Sequence, residues 1–358
     1  MRKKRLQNKL QELLALAERD RVDIREEILR LREKIDGEDE SKGRAWARVL
    51  AARDPDRPTA LDLIEEMTDS FLEIHGDRAG GDDPALVGGI GIINDSPITF
   101  LGHQKGRNLK GNIRRNYGMA HPEGYRKARR LALQAEKFNR PVVTLIDTPG
   151  AYPGIGSEQR GIAEAIAANL KLFSSLKVPI ITVIFGEGGS GGALGIGVGD
   201  RIFMLKNAVY SVISPEGCAA ILLKDSGKAP AAAGLLKLTA EDMLRFGIID
   251  GVIEEPEGGA GGDHPAAAAA IKEVLIRELE ELRDLSPAQL VKNRTRRLGQ
   301  FGSFREPDGF RKEAVPGKMW TRIRQSIASR LPLIPSPGRS GDDDDTEPKT
   351  GRPAEEES

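Results

Sequence analysis

The residues of this chain that are best spaced for chemistry carry no reactive side chains. Gly186-Glu187-Gly188-Gly189-Ser190-Gly191-Gly192-Ala193-Leu194 holds five glycines within nine residues. Without a Cβ, main-chain N–H groups approach a ligand closely, and the first N–H groups of a helix lack an intrahelical acceptor and carry a partial positive charge. Such a turn holds an oxyanion. A second turn, Asp147-Thr148-Pro149-Gly150-Ala151-Tyr152-Pro153-Gly154-Ile155-Gly156, follows another apolar run. Either turn alone also serves as a tight strand-to-helix corner. Two of them after two buried strands imply a cleft.

Other chemistries compete for the same residues. Gly188-Gly189-Ser190-Gly191-Gly192 satisfies G-x-S-x-G, the nucleophile elbow of serine hydrolases, which needs a histidine base after the serine in an α/β-hydrolase. His264 is the only histidine that follows; His75, His103 and His121 precede it. A Ser-Lys pairing with Lys206 or Lys224 stays open. No G-x-x-x-x-G-K-[ST] sequence is present, so a P-loop is excluded. Lys105, Arg107, Lys110, Arg114 and Arg115 form a cationic loop, which reads as a clamp for phosphate or carboxylate, or as a solvated basic surface. Cys218 is the single cysteine and lies among Ala219, Ala220 and Ile221; a buried structural thiol is expected.

The elements that position these turns follow from periodicity. Pro179 to Phe185 and Val142 to Ile146 are continuously apolar and β-branched, as in strands buried on both faces. Thr59 opens a helix expected over Ala60 to Leu72. Leu86 to Ile93 and Pro97 to Leu101 flank Asn94-Asp95-Ser96 as a hairpin. Helices are expected over Glu123 to Phe138, from Ser157 as N-cap to Leu176, and from Pro265 to Leu282, the last closing the domain. Further strands are expected over Arg201 to Leu205, Val209 to Ile213 and Ile248 to Ile253, with helix starts at Ser214-Pro215 and Thr239. Strand, helix, strand, helix with short connections gives parallel pairing, and ligands bind at the carboxyl ends of such strands.

Bulk properties narrow the partners. The 358 residues suit one large domain with appendages, and 54 basic against 54 acidic residues leave no net field for a polyanion. One cysteine excludes an internal disulfide framework and any Cys-based zinc ribbon made by this chain alone. Met1 to Arg5 is basic but leads into amphipathic, charged sequence, and no run is long enough to span a bilayer, so a cytoplasmic location is expected. Leu10, Leu14, Ala17, Ile24, Ile28, Leu31 and Ile35 follow heptad spacing and predict an N-terminal helical extension over 1–53, suited to packing against a partner. Asp54-Pro55-Asp56-Arg57-Pro58 marks a boundary. Asp342 to Asp345 and Glu355 to Glu357 predict an acidic tail over 303–358, mostly disordered.

Several long motifs in one order carry a resemblance. Gly102-His103-Gln104-Lys105-Gly106-Arg107, Arg114-Arg115-Asn116-Tyr117-Gly118-Met119, Pro122 to Ala128, Ile146 to Gly154, Gly186 to Leu194, Ile196 to Asp200 and Tyr210 to Ala219 together resemble the carboxyltransferase α subunit of bacterial acetyl-CoA carboxylase, over about 54–302. The resemblance implies an α/β, crotonase-like spiral of ββα units. It implies carboxyl transfer from carboxybiotin, held covalently on a biotin carboxyl carrier protein, to acetyl-CoA, giving malonyl-CoA for fatty acid synthesis. A zinc-containing β subunit, an α₂β₂ assembly and a biotin carboxylase are the implied protein partners; no metal is expected in this chain, and neither a membrane nor specific nucleic acid.

By that similarity Gly191 and Gly192 offer N–H groups to the biotin ureido oxygen, and Gly188 and Gly189 shape the turn. Thr148, Pro149, Gly150, Ala151 and Tyr152 line the biotin side. Lys105, Arg107, Arg114 and Arg115 are candidates for the pantetheine phosphate or the approach of the carrier. The enolate hole is assigned mostly to the β partner. A carboxyltransferase for another acyl-CoA is the nearest alternative, because one methylene changes selectivity by only about 1–3 kcal/mol. A serine hydrolase using Ser190 is the second, and an RNA-binding subunit using the basic N-terminus the third, opposed by the neutral total charge.

Overall fold

The computed structural model describes residues 43–302. The helix expected over 10–35 and the tail expected over 303–358 lie outside the described residues. Helix α1 occupies 43–52, and its Ala45, Val49 and Ala52 recur at helical spacing and are buried with Val209, Ala233 and Leu238. Helix α2 (Ala60–Met67) is opened by a capping box in which Thr59 and Asp62 each bond the other's backbone N–H. It was expected to reach Leu72. Instead Thr68 turns extended, and Ser70–Glu73 forms a short strand, β1. Four residues that continue a helical apolar spacing gave no strand signal of their own.

Strands β2 (Leu86–Ile93) and β3 (Ser96–His103) make the expected hairpin, with Asn94 at φ 48° and Asp95 at φ 58° supplying the left-handed corner. Helix α3 (Leu109–Arg114) follows, capped by Asn108, and α4 (Pro122–Lys137) starts with proline at its first turn. Strand β4 (Val142–Thr148) is buried at every residue, as its unbroken apolar run requires. The helix expected from Ser157 is two helices, α5 (Ile155–Gln159) and α6 (Ile162–Ser175), separated by Gly161 at φ 82°. Ser157 is inside α5 and fully buried; it caps nothing.

Strand β5 (Ile180–Gly189) runs directly into the five-residue helix α7 (Ser190–Leu194). Strand β6 (Arg201–Leu205) and a shorter β7 (Val209–Ser211) precede α8 (Pro215–Cys218), whose Ser214 cap accepts the Gly217 N–H. After one π turn over Ala219–Leu223 come α9 (Ala229–Leu236), α10 (Ala240–Arg245) and β8 (Gly251–Ile253). Strand β8 begins three residues later than expected, since Ile248 and Ile249 serve the turn before it. Helix α11 (His264–Arg283) does not close the described chain; α12 (Pro287–Gln300) lies beyond it.

One sheet of eight strands organises these pieces, in the order β1-β2-β3-β4-β5-β6-β8, with β7 added alongside β5. The pairs β1–β2 and β2–β3 are antiparallel, and every pair from β3 onward is parallel. Strand β5 is shared along its length: Ile181–Ile184 pair with β6, and Glu187–Gly189 pair with β7. Helices α2, α4, α6 and α11 supply much of the apolar core, in which Phe100, Tyr125, Phe173 and Phe185 are fully or almost fully buried. The end of β5 is paired on both sides where the glycine turn begins, with Gly188 opposite Thr148 on one side and Tyr210 on the other.

Candidate active site

The first half of β4 pairs in register with β5, then the register shifts between Ile146 and Thr148, and Thr148 lies opposite Gly188. The two glycine turns therefore leave the carboxyl edge of the sheet side by side. Their backbones touch. A Cβ on Gly189 would lie 2.2 Å from the Pro149 carbonyl, and one on Gly192 would lie 2.4 Å from the carbonyl carbon of Gly150. At Gly188 the obstacle is the Tyr210 ring, 2.7 Å away. Packing fixes glycine at all three positions.

Gly191 is different. A Cβ there would meet only Ile166 Cδ1, at 3.8 Å, so this residue faces open space. Its N–H and that of Gly192 belong to the first turn of α7 and have no acceptor within the helix. Ser190, at φ 48°, makes the corner between strand and helix. Behind the turn, the Tyr125 hydroxyl donates to Gly192 O at 3.2 Å, and Asn169 Nδ2 donates to Tyr125 O at 3.0 Å and Gly195 O at 2.9 Å. The sequence reading gives Tyr125 no role of its own beyond its place in the Pro122 to Ala128 motif. Its buried hydroxyl requires a partner, and that requirement was the available signal.

The second turn is braced in the same manner. Thr148 Oγ1 accepts the Gly150 N–H at 3.1 Å and donates to Gly150 O at 2.7 Å, which closes the bend around Pro149. Pro149 is exposed, and Gly150, Ala151 and Tyr152 are half-buried, so this turn presents a surface beside Gly191. The Tyr152 ring packs on His121 with centroids 4.3 Å apart, and the Tyr152 N–H donates to Ala120 O at 3.1 Å. His121 Nδ1 is in turn 2.7 Å from Ser157 Oγ.

The cationic loop divides. Lys105 points inward, with its ammonium 2.7 Å from Asp147 Oδ1 and 3.2 Å from Glu187 Oε1. Burial disfavours that charge, yet the two carboxylates more than offset it and hold the lysine pKa above its ordinary value. Arg107 bonds Asp62, and Arg115 donates to Pro84 O at 2.6 Å. Arg114 and Lys110 are exposed. Asp147, Glu187 and Arg53 were not singled out from sequence, because no local spacing announces a network built from separate segments.

His103 lies beneath the turn, fully buried, against the Gly192 backbone. Neither ring nitrogen has a hydrogen-bond partner. Burial, with the Lys105 charge adding to it, lowers its pKa to about 3, so the ring is neutral at pH 7. Among the described residues no histidine or lysine hydrogen-bonds Ser190; Lys206 is engaged by Glu254 at 2.6 Å, and Lys224 is exposed. The elbow has its serine without a base. No group of three or more His, Cys, Asp or Glu among the described residues is arranged to hold a metal ion.

The chain as a whole has relatives among known proteins. A family model described as acetyl co-enzyme A carboxylase carboxyltransferase-like matches residues 2–302. A protein of Treponema denticola named acetyl-coenzyme A carboxylase carboxyl transferase subunit alpha is 54% identical over 299 residues, covering 84% of this chain and 98% of that protein. In fold, a Pseudomonas malonate decarboxylase hetero-tetramer solved with coenzyme A gives a TM-score of 0.53 at 16% identity, covering 76% of this chain and 98% of that one. The transcarboxylase 12S core gives 0.52 at 22% identity, covering 63% of this chain and 42% of that longer one.

The fold is shared with these two structures, and the family match defines the class as acetyl-CoA carboxylase carboxyltransferase-like. Within that class, the chain belongs to the family of the α subunit of the acetyl-CoA carboxylase carboxyltransferase, a biotin-dependent transferase that works as part of a multi-subunit carboxylase.

Proposed function

We propose that this chain combines with a carboxyltransferase β subunit, as α₂β₂ and in the cytoplasm, to move the carboxyl group of carboxybiotin, carried on a biotin carboxyl carrier protein, to acetyl-CoA. The carrier would be recharged by a biotin carboxylase, and zinc is assigned to β. We take 54–302 as the carboxyltransferase domain and 1–53 as its N-terminal extension. The observation that carries the reading is the open face of Gly191, where an added Cβ would meet only Ile166, in the first turn of a helix whose Gly191 and Gly192 N–H groups have no helical acceptor.

That surface fits a planar ureido group. Carboxybiotin would supply an activated carboxyl group and, once that has left, a base for the acetyl methyl proton. This chain's residues then have limited tasks. Gly191 and Gly192 N–H stabilise negative charge on the ureido oxygen, and losing one donor of such a hole costs about 10²–10³ in rate. Thr148, Pro149, Gly150, Ala151 and Tyr152 form the wall against which the ring is held. Arg107, Arg114 and Arg115 face the approach of the carrier or of the pantetheine phosphate. The enolate oxygen is left to donors of the β subunit.

The glycine geometry selects the test. Gly191→Val places a side chain in the open space without touching backbone, whereas Gly192→Val would push into Gly150 and confound folding with function. In enzyme reconstituted with the β subunit, Gly191→Val is expected to lower malonyl-CoA formation by about 10² or more while assembly is kept, and Ser190→Ala to retain most activity. Loss of activity in Ser190→Ala with Gly191→Val active would transfer the site to the serine.

A further inference from the structure

We propose that Lys105 is a positioning residue, which locks the two glycine turns against each other through Asp147 and Glu187 instead of contacting substrate. Asp147 ends β4 at the start of the first turn, and Glu187 lies within the second. Lys105 arrives from a third segment and bonds both carboxylates, at 2.7 and 3.2 Å. Asp147 Oδ1 also accepts the Glu187 N–H at 2.8 Å, so the same oxygen ties the turns directly.

The surrounding glycines make room for this arrangement. A Cβ on Gly186 would fall 2.3 Å from Asp147 Oδ1, and one on Gly118, which is at φ 80°, would fall 2.8 Å from Asp147 O and 3.1 Å from Lys105 Cγ. On the far side, Glu187 Oε2 accepts from Arg53 Nε at 2.7 Å, and Arg53 continues to Glu216 at 2.7 Å. Asp147, Glu187, Arg53, Glu216 and the neutral His103 are the titratable groups around the ammonium. Without Lys105 two largely buried carboxylates share one oxygen-lined site, and their repulsion drives the turns apart.

The transfer arm of the test rests on the proposed function; the exchange arm does not. Hydrogen exchange in the full chain should show Lys105→Met losing protection about tenfold in both 147–156 and 186–194, as local opening becomes easier. Turnover should fall about 10²-fold, the scale of a 1 Å misplacement, with KM for acetyl-CoA nearly unchanged. Adding Glu187→Gln to Lys105→Met removes one of the repelling charges and should restore protection and most of the turnover. Arg53→Met, a milder change on the same chain of charges, should loosen 186–194 alone. Unchanged exchange in both turns, or a raised KM that Glu187→Gln does not reverse, would overturn the proposal and make Lys105 a substrate contact. Inactive parent enzyme with the predicted exchange pattern would instead sink the functional reading and keep this one.

Discussion

Gly191 and Gly192 are neighbours that are glycine for different reasons. Gly192 is held by contact with the other turn, and Gly191 by the open space before it. Both read alike in a sequence, and only the second leaves room for the ligand of the proposed function. His103 shows the converse: a residue with obvious chemistry whose environment removes it. It is buried, without a hydrogen-bond partner, and has a pKa lowered to about 3. A base with a depressed folded pKa binds fewer protons folded than unfolded, so folding stability falls as the pH drops below the unfolded value of 6.5 and continues to fall until about pH 3. His103→Leu should flatten that part of the stability curve. Denaturant titrations from neutral pH down to about pH 4 measure it; equal slopes in both proteins would mean that the ring protonates in the folded state.

At the scale of elements, the sequence was informative where one local cause decides the outcome. Continuous β-branched runs predicted β4 and β5, and the Asn94-Asp95 corner predicted the hairpin. It was misleading where two causes compete. Gly161 divides one amphipathic pattern into α5 and α6, and Ser157 resembles a cap while being packed inside a helix. Helix α12 was missed because its sequence is mostly polar and it docks through few residues, chiefly the buried Leu290 and Arg294, with Arg297 bonding Asp250. Arg294 is 1% exposed and donates to Phe173 O, Leu176 O, Val178 O and both oxygens of Asp200. Arg294→Met strands a buried carboxylate, and a loss of about 3–5 kcal/mol is expected by denaturant unfolding. Arg294→Met with Asp200→Asn should recover part of it; a loss under about 1 kcal/mol in the single variant would show that α12 is held by other contacts.

At the scale of the whole molecule, the sheet brings backbone, not side chains, to its carboxyl edge. In the proposed reading, the wall and one hole for an oxyanion come from this chain, and a second hole and the acyl-CoA belong to a partner. No helix among the described residues is long and apolar enough to cross a membrane. Alternating charge pairs tie α1 and the segment after it to the site: Arg53 reaches Glu187 and Glu216, and Arg57 bonds Glu255 at 3.0 Å in a pair that is almost wholly buried. Segments far apart in sequence therefore set the position of two short turns, which is why the turns were legible and their support was not. The most direct measurement is malonyl-CoA formation from carboxybiotin and acetyl-CoA by this chain alone, by a zinc-containing β subunit alone, and by the two together. The account predicts activity only in the mixture. Carboxyl transfer by this chain alone, or none by an assembled mixture, would contradict it.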